Sequence, residues 1–264
     1  MELVKHEIQY DKVSGNILLV PLGDEHVGHK NFNKTKFEEY VGWIEKEDNV
    51  WWWGMGDYSD CIIATGDDKR YDFDQLDPTM PTPDEQYMYI ESQLKRIKDK
   101  CFGLHLGNHD YELQRRHGHR YVAFMCESLK VPFLGYNAFI RLHFKRNGKN
   151  GQVIDICTTH GSSNGRTPGG KINALMNFAN GFDADIYAYA HTHDKYAHER
   201  SYYTLSTNMT MIERKQVFVL TGGFLEGYQQ GTTSYVERKN LSPMRTGIVV
   251  ITVNPENKQI RAQA

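Results

Sequence analysis

Short apolar runs that stop abruptly at glycine or a polar residue recur between residues 16 and 190. They cover residues 16–22, 49–55, 101–106, 153–159 and 185–190. Because these runs are short and rich in aromatic and β-branched residues, they predict buried β-strands. Between them, apolar residues at spacings of three or four predict amphipathic helices over 34–47, 84–100 and 171–180. This alternation of strand and helix predicts an α/β architecture.

The C-terminal part of the chain has a different pattern. Between residues 194 and 264, strand-like runs such as QVFVLTG and GIVVITVN alternate with turn residues, and helical spacing is almost absent. This pattern predicts a second sheet that the C-terminal strands complete. The sequence contains no linker, repeat or low-complexity tract, and 264 residues suit one large domain. We therefore predict a single domain that spans residues 1–264.

Composition argues against several classes of protein. The chain is 39% apolar and 24% charged with a formal net charge of −2, so its overall charge favours neither nucleic acid nor a membrane surface. No apolar stretch approaches the roughly 20 residues of a membrane-spanning helix, and the first residues lack a signal-peptide core. The four cysteines are widely spaced without a CxxC pair, which disfavours a disulfide scaffold or a thiolate zinc site. These features predict a cytoplasmic protein with no membrane partner.

A potential metal ligand follows each of the five apolar runs. In chain order these residues are Asp24 and His26, then Asp57, then Asn108 and His109, then His160, and finally His191 and His193. Ligands of open α/β sheets bind beyond the carboxyl ends of the strands, where loops from different strands meet. The one-residue spacing within the first pair and the last pair places both side chains on one side of an extended strand end. The sequence therefore predicts one cluster built from five separate segments.

The residue types in this cluster favour two transition-metal ions. A carboxylate can bridge two cations and hold them roughly 4 Å apart, which is the spacing of two-metal phosphoryl-transfer sites. Imidazoles combined with carboxylates suit manganese, iron, zinc, nickel or cobalt better than magnesium or calcium. Glycines beside the ligands allow sharp turns and the close approach of a phosphate. We predict two divalent or trivalent transition-metal ions, with manganese as the first candidate.

The order of the motifs carries a family resemblance. DxH, GD, GNHD, TTHG and AHTH follow one another between Leu18 and Asp194, and in that order they resemble the calcineurin-like metallophosphoesterases. The stretch from Thr159 to His193 is also similar to uncharacterised phage and bacterial phosphoesterases. The resemblance implies a four-layer α/β/β/α sandwich with two mixed sheets and a metal site at the strand ends.

The same resemblance implies a role for each ligand. It places Asp24, His26 and His193 on the first metal, Asn108, His160 and His191 on the second, and Asp57 on both. A hydroxide held between the metals would attack phosphorus in line, and His109 would protonate the leaving oxygen or stabilise its charge. Phosphoprotein phosphatases, which resemble this chain at GDYSD, orient that imidazole with the second Asp. This similarity predicts Asp60 as the orienting residue, with Asp110 as the second candidate.

Two departures from the phosphoprotein phosphatases bear on the substrate. Cys61 stands where those enzymes carry an arginine that grips a phosphate monoester, and the third motif reads GNHD rather than GNHE. Both departures favour a phosphodiesterase that acts on nucleic acid or a nucleotide-like diester. A phosphomonoesterase that uses the same centre is an alternative. A non-catalytic scaffold, like the retromer subunit of this superfamily, is a third, although such proteins typically lose ligands that this chain retains.

Two basic segments are candidates for contact with the substrate. Arg166 and Lys171 belong to a glycine-rich loop that could bring them to a substrate phosphate, and solvated charges in a flexible loop are the alternative. Residues 115–120 contain three arginines and two histidines. These side chains could contact a nucleic-acid backbone or form a solvated helix face.

Other conspicuous residues have simpler interpretations. The tryptophans at 51–53 could suggest base stacking, but a buried strand that leads into the GD motif explains them better. Glu25 is expected to point away from the metals. Histidines outside the motifs, such as His29, are expected to be ordinary surface or core residues. Residues 62–83 and 161–171 are expected to rim the cleft.

Overall fold

The computed structural model describes residues 1–11, 15–62, 73–163, 165–228, 230–231 and 233–264. The strands, in chain order, are β1 (Glu2–Tyr10), β2 (Ile17–Leu22), β3 (Val50–Gly54), β4 (Cys101–His105), β5 (Phe133–Gly135), β6 (Asn137–Arg146), β7 (Lys149–Thr159), β8 (Ile186–Tyr189), β9 (Lys195–Leu205), β10 (Met211–Gly223), β11 (Gly247–Ile248), β12 (Val250–Asn254) and β13 (Gln259–Gln263). The helices are α1 (Lys34–Lys46), α2 (Pro83–Leu94), α3 (Asn108–His117), α4 (Tyr121–Leu129), α5 (Pro168–Ala179) and α6 (Tyr235–Arg238). Within these described ranges, no helix combines the length and the apolar character needed to cross a membrane.

The strands form two mixed sheets. The first has the order β13-β12-β2-β3-β4-β5, in which β2 to β5 are parallel while β12 and β13 are antiparallel additions. The second has the order β1-β6-β7-β8-β10-β11, and β9 pairs with β10. Within the second sheet, β7, β8 and β10 are parallel. Each sheet therefore contains a parallel set of strands whose carboxyl ends share one edge.

Three apolar cores separate four layers. The core between the two sheets contains Leu19 and Trp53 from the first sheet and Ile140 and Ile156 from the second. Residues of α1, α2 and α4 pack on the other face of the first sheet. Residues of α5 pack on the other face of the second sheet, against side chains such as Tyr187. The predicted four-layer α/β/β/α sandwich with two mixed sheets is confirmed.

The tryptophan run is a buried strand, as predicted. Successive side chains of β3 point to opposite faces of the sheet. Trp52 lies in the core under the helices, where its indole Nε1 donates to the carbonyl of Ile97 at 2.8 Å. Trp53 lies in the core between the sheets, where its Nε1 donates to Thr158 Oγ1 at 3.1 Å. Both indole N–H groups are thus satisfied inside the fold, as burial requires.

The C-terminal strands complete the second sheet, as predicted, but they also extend the first sheet. β9, β10 and β11 belong to the sheet of β7 and β8, whereas β12 and β13 join the sheet of β2. β12 pairs antiparallel with β2 through Ile251 and Leu19, more than two hundred residues apart in the chain. Turn signals locate strands but do not choose their partners, because pairing depends on long-range packing.

The predicted helix over 84–100 is shorter in the structure. It starts at Pro83, with Thr82 as its cap, and ends at Leu94. Its buried side includes Tyr87, Ile90 and Leu94, whereas Met88 is 72% exposed. Of the predicted rim segments, residues 63–72 and 164 lie outside the described residues.

The carboxyl ends of both sheets meet at one place. The loop after β3 contacts the loop after β7, because the Met55 carbonyl lies 2.8 Å from His160 Nδ1. The loop after β2 contacts the loop after β8, because the backbone N–H of His191 donates to Asp24 Oδ2 at 2.9 Å. All five predicted ligand segments therefore reach the same edge of the sandwich.

Candidate metal centre

Asp57 lies in the middle of the cluster. Its Oδ2 is 3.7 Å from His26 Nε2 on one side and 3.3 Å from His160 Nε2 on the other. Its Oδ1 accepts a hydrogen bond from the backbone N–H of His109 at 2.8 Å. The carboxylate is thus fixed by one oxygen and offers the other to both sides, which is the placement that a bridging ligand requires.

Three overlapping groups of potential ligands surround this carboxylate. The first is Asp24, His26 and His193, the second is Asp57, His160 and His191, and the third is His26, Asp57 and His109. In each group, one nitrogen or oxygen atom from every residue lies within 4.8 Å of the others. The first and second groups contain residues that the family resemblance placed on separate metals, and the third adds His109, which the resemblance did not place on a metal.

Asn108 completes the second group. Its side-chain oxygen lies 3.0 Å from His160 Nε2, 2.6 Å from His191 Nδ1 and 3.2 Å from Asp57 Oδ2. His160 Nδ1 donates to the Met55 carbonyl, so Nε2 is the nitrogen that faces Asn108 and Asp57 and would bind a cation once deprotonated. Rotating the amide would place N–H donors there. A cation among the four atoms satisfies the same lone pairs and also explains why they converge.

Two buried atoms of the first group have no hydrogen-bond partner among the described residues. They are Asp24 Oδ1 and His26 Nε2, and the Nε2 of His193 lies 3.9 Å from Asp24 Oδ1. A buried polar atom without a partner costs about 1–3 kcal/mol. A cation bound among these atoms would remove the cost. The donor set, made of nitrogen and oxygen, suits a transition metal of intermediate softness.

The thiol nearest to the cluster is not part of this donor set. Cys61 Sγ lies 3.3 Å from Tyr87 Oη and 3.9 Å from Asp110 Oδ1. Burial, reinforced by the negative charge of Asp110, raises the pKa of the thiol well above its ordinary value. A neutral thiol is a poor metal ligand, and the contacts with Tyr87 and Asp110 account for the position of this side chain.

Left-handed backbone conformations are concentrated at the candidate ligands. These residues are Asp24 (φ 53°), His26 (φ 51°), Asp57 (φ 54°), His191 (φ 66°) and His193 (φ 55°). Side chains other than glycine adopt this region at a cost of order 1–2 kcal/mol. Such strain persists where surrounding contacts enforce it, and it clusters at functional sites. Five strained positions among seven candidate ligands indicate that the loops are shaped for the cluster.

Backbone hydrogen bonds hold these loops against one another. Asp24 N–H donates to the Gly56 carbonyl at 2.9 Å, and His26 N–H donates to the Asp57 carbonyl at 3.0 Å. Gly56 is required for close packing, because a Cβ there would lie 2.5 Å from the Gly107 nitrogen. The glycines beside the ligands therefore bring neighbouring loops together.

The ligand imidazoles are oriented by different groups. His26 Nδ1 lies 3.2 Å from Asp60 Oδ1, so a carboxylate orients this ring. His160 Nδ1 instead donates to the Met55 carbonyl at 2.8 Å. Both contacts place the proton on Nδ1 and leave Nε2 facing Asp57. Fixing the tautomer in this way is the usual role of the outer shell of a metal site.

His109 lies beside the first group. Its ring packs edge-on against His26, with centroids 4.6 Å apart. Its Nδ1 donates to the Asp60 carbonyl oxygen at 2.7 Å, while the Asp60 carboxylate is 3.5 Å away. Asp60 therefore contacts His109 chiefly through its backbone and His26 through its side chain. The carboxylate of Asp110, the second candidate, instead accepts from the backbone N–H groups of Asp57 and Gly107.

Burial and neighbouring charges shift the pKa values of the acidic and imidazole groups in the cluster, often in opposite directions. Burial raises the pKa of Asp24 to about 7, and the charge of Asp57 adds to the rise. Burial disfavours ionised Asp57, but the imidazoles, His160 foremost, outweigh it and hold the Asp57 pKa well below its ordinary value. Burial likewise opposes the charge on His160, yet Asp57 raises the His160 pKa to about 9. Protons on Asp24 and His160 thus balance part of the buried negative charge of the cluster.

The two predicted substrate contacts have partners within the chain. Arg166 donates to the carbonyl of Lys239 at 3.0 Å. Lys171 pairs with Asp194 at 2.7 Å and donates to the carbonyl of Thr192 at 3.0 Å. Lys171 therefore braces the loop that carries His191 and His193, and contact of either side chain with a substrate stays a prediction.

The basic segment after His109 has a solvated helix face. Arg115 pairs with Glu112 at 2.7 Å, and Arg116 pairs with the same carboxylate. Arg115 is exposed, and its guanidinium donates to Glu112, which raises the pKa of the guanidinium. These arginines therefore carry less unpaired charge than the sequence suggested.

Two buried polar residues near the site were given ordinary interpretations from the sequence. Glu25 is fully buried, its two carboxylate oxygens have no partner among the described residues, and burial raises its pKa well above the ordinary value. His29 is buried as well, and its Nδ1 accepts from the backbone N–H of Asn31 at 3.0 Å. Both residues follow β2 and lie close in sequence to Asp24 and His26. This proximity was the feature of the sequence that could have indicated burial near the site.

The chain was compared with family models, curated proteins and solved structures. No family model and no curated protein matches it. Similar solved structures include Vps29 from Chaetomium thermophilum (11% identity, TM-score 0.40, 94% of each chain covered). Vacuolar Protein Sorting 29 from Cryptosporidium parvum is similar too (14% identity, TM-score 0.40, 94% of this chain and 96% of that one). NAD nucleotidase from Haemophilus influenzae matches 95% of this chain and 49% of its own length, at 12% identity and TM-score 0.41.

Proposed function

We propose that the chain is a two-metal hydrolase of phosphate esters and that its preferred substrates are diesters. The observation that carries this proposal is the position of Asp57 Oδ2 between His26 and His160, with a group of candidate ligands on each side. Sharing one carboxylate is how proteins hold two cations at the short spacing that phosphoryl transfer uses. The unpartnered lone pairs of the first group support the same assignment.

Seven residues would hold the cations. Asp24, His26 and His193 would bind the first, Asn108, His160 and His191 the second, and Asp57 both. Cations bound there would supply Lewis-acid stabilisation of charge on a phosphoryl group and would lower the pKa of an attacking water. Manganese is the first candidate, and iron, zinc, nickel and cobalt suit the same donors.

His109 would assist departure of the leaving group. Its Nδ1 is committed to the Asp60 carbonyl, so Nε2 is the nitrogen that can exchange a proton with substrate. The attacking water would first release one proton to solvent. As the oxygen of the resulting hydroxide bonds to phosphorus, the bond from phosphorus to the leaving oxygen would break, and the Nε2 proton would pass to that oxygen. The edge-on contact with His26 keeps the ring beside the first group of ligands.

A diester is favoured over a monoester by the charge around the cluster. A monoester dianion carries one more negative charge than a diester and is usually gripped by additional cations. Here Cys61 occupies the position of the phosphatase arginine, and its buried thiol is neutral. Arg166 and Lys171 contact a carbonyl and a carboxylate of their own chain. Nucleic acid as a partner and a cytoplasmic location remain predictions from the sequence.

A paired assay tests this proposal. Purified protein loaded with manganese is given bis-p-nitrophenyl phosphate and p-nitrophenyl phosphate, with Asp57→Asn as the inactive control. Asp99→Asn is the matched control, because that aspartate is 88% exposed and precedes the amino end of β4, whereas the GNHD motif follows its carboxyl end. We expect turnover of the diester to exceed that of the monoester. The reverse preference would identify a phosphomonoesterase, and two bound metals without turnover of either ester would indicate a non-catalytic scaffold.

A further inference from the structure

Two tyrosines form an aromatic shelf on the His160 side of the centre. Tyr136 packs edge-to-face against His160, with ring centroids 6.2 Å apart, and its carbonyl accepts from the His160 N–H at 3.2 Å. Tyr111 packs edge-to-face against Tyr136, with centroids 5.8 Å apart. The shelf, defined as the rings of Tyr111 and Tyr136, therefore continues outward from the second group of ligands.

The two rings differ in their exposure to solvent. Tyr136 is half-buried and links the shelf to the centre, whereas Tyr111 is 42% exposed. Leaving a large aromatic ring in water forgoes the free energy of its burial. An exposed aromatic ring close to an active site is a suitable surface for a ligand that is itself flat and apolar on its faces.

The shelf lies away from the side on which His109 acts. His109 and Tyr111 are two positions apart on α3, so they leave the helix roughly 200° from each other. His109 packs on His26 of the first group, while Tyr111 reaches His160 of the second through Tyr136. A substrate held between the two groups can thus direct its leaving group to His109 and its retained ester arm toward the shelf.

We infer that Tyr111 is a stacking subsite for a nucleobase on the retained arm of a phosphodiester. Every base has a π-face that can stack on an aromatic ring regardless of sequence, and bases also carry polar edges that tolerate exposure to water. Arg115, four residues later on the same side of α3, adds a cation near the ring. This inference rests on the proposed function and narrows its substrates to nucleotide-like diesters.

The first experiment compares two diesters that share one leaving group. Manganese-loaded protein is assayed with thymidine 5′-(p-nitrophenyl phosphate) and methyl p-nitrophenyl phosphate, and the ratio of their kcat/KM values is the readout. Base–aromatic stacking predicts that Tyr111→Ala lowers this ratio by about 5- to 150-fold. Tyr111→Phe, which keeps the ring, should keep the ratio. Tyr203→Ala, at a tyrosine that is 64% exposed on β9, is the matched control.

Equilibrium binding separates this inference from the proposed function. The dissociation constants of thymidine 5′-monophosphate and methyl phosphate are measured by calorimetry on the metal-loaded wild type and Tyr111→Ala. Tighter binding of the nucleotide that disappears in Tyr111→Ala supports the subsite even if no ester is turned over. Equal binding of both ligands by the wild type, or an unchanged kcat/KM ratio in Tyr111→Ala, would overturn the subsite and leave the hydrolase proposal standing.

Discussion

The two halves of the candidate centre share Asp57 but differ in charge. The first half adds the carboxylate of Asp24, and a second carboxylate, that of Asp60, lies behind His26. The second half adds only the neutral amide of Asn108, and a backbone carbonyl orients His160. Because cations bind more tightly where more negative charge surrounds them, the first half should hold its metal more strongly. We therefore expect the cation of the first half to stay bound and the cation of the second half to exchange more readily.

The shared carboxylate should dominate the behaviour of both halves. Replacing Asp57 with Asn keeps the shape but removes the charge that both groups of ligands use. We expect metal stoichiometry to fall from two to one or none, and kcat to fall by at least about 10³-fold, because several kcal/mol of transition-state stabilisation is lost. Elemental analysis and the diester assay measure these effects. Retention of two metals with full activity would remove Asp57 from the bridge.

We assign His109 to proton transfer rather than to metal binding. His109→Ala should leave both metals bound and lower kcat by about 10²- to 10⁴-fold, the usual contribution of a general acid. The loss should shrink for p-nitrophenyl diesters, whose leaving group needs no proton, and grow for alkyl diesters. An equal loss for both leaving groups would contradict the role of proton donor, and loss of metal would make His109 a ligand.

Asp60→Asn probes the difference between the two halves directly. The variant removes the carboxylate behind His26 but keeps the backbone carbonyl that holds His109. We expect affinity for the first metal to weaken by about 10- to 100-fold, with little change at the second. Calorimetric titration with manganese resolves the two events, and Asp99→Asn serves as the control. Equal weakening of both sites would argue against distinct outer shells.

Metal binding should depend on pH through two groups of the cluster. In the metal-free protein, the pKa of Asp24 is raised to about 7 and that of His160 to about 9, so both hold protons that a cation must displace. Affinity should therefore increase as the pH rises from about 6 to 9, by about tenfold per unit for each proton released. Calorimetry in two buffers of different ionisation enthalpy counts these protons. An affinity independent of pH would contradict the assignment.

The ligand set was accessible from sequence because each ligand directly follows a strand. Strand ends are marked locally by the change from apolar residues to glycine and charge, as at β3 and Asp57. Parallel topology then brings such ends together without further information. The division of these residues between two metals came from the family resemblance, because order along the chain does not indicate which ligands share a cation.

Features that depend on long-range packing could not be predicted from the sequence. The pairing of β12 with β2 joins residues far apart in the chain, and no local signal specifies it. Asp60 was predicted beside His109, but whether its carboxylate or its carbonyl makes the contact depends on the course of the backbone. The shelf formed by Tyr111 and Tyr136 also required the positions of two separate elements.

The most direct test of the central claim is to locate the metals. Anomalous diffraction from crystals soaked with manganese should show two peaks about 3.5–4 Å apart, with a carboxylate oxygen of Asp57 in contact with both. We expect His26 to contact the metal at one peak and His160 to contact the metal at the other. A single peak, or two peaks that do not share Asp57, would contradict this assignment.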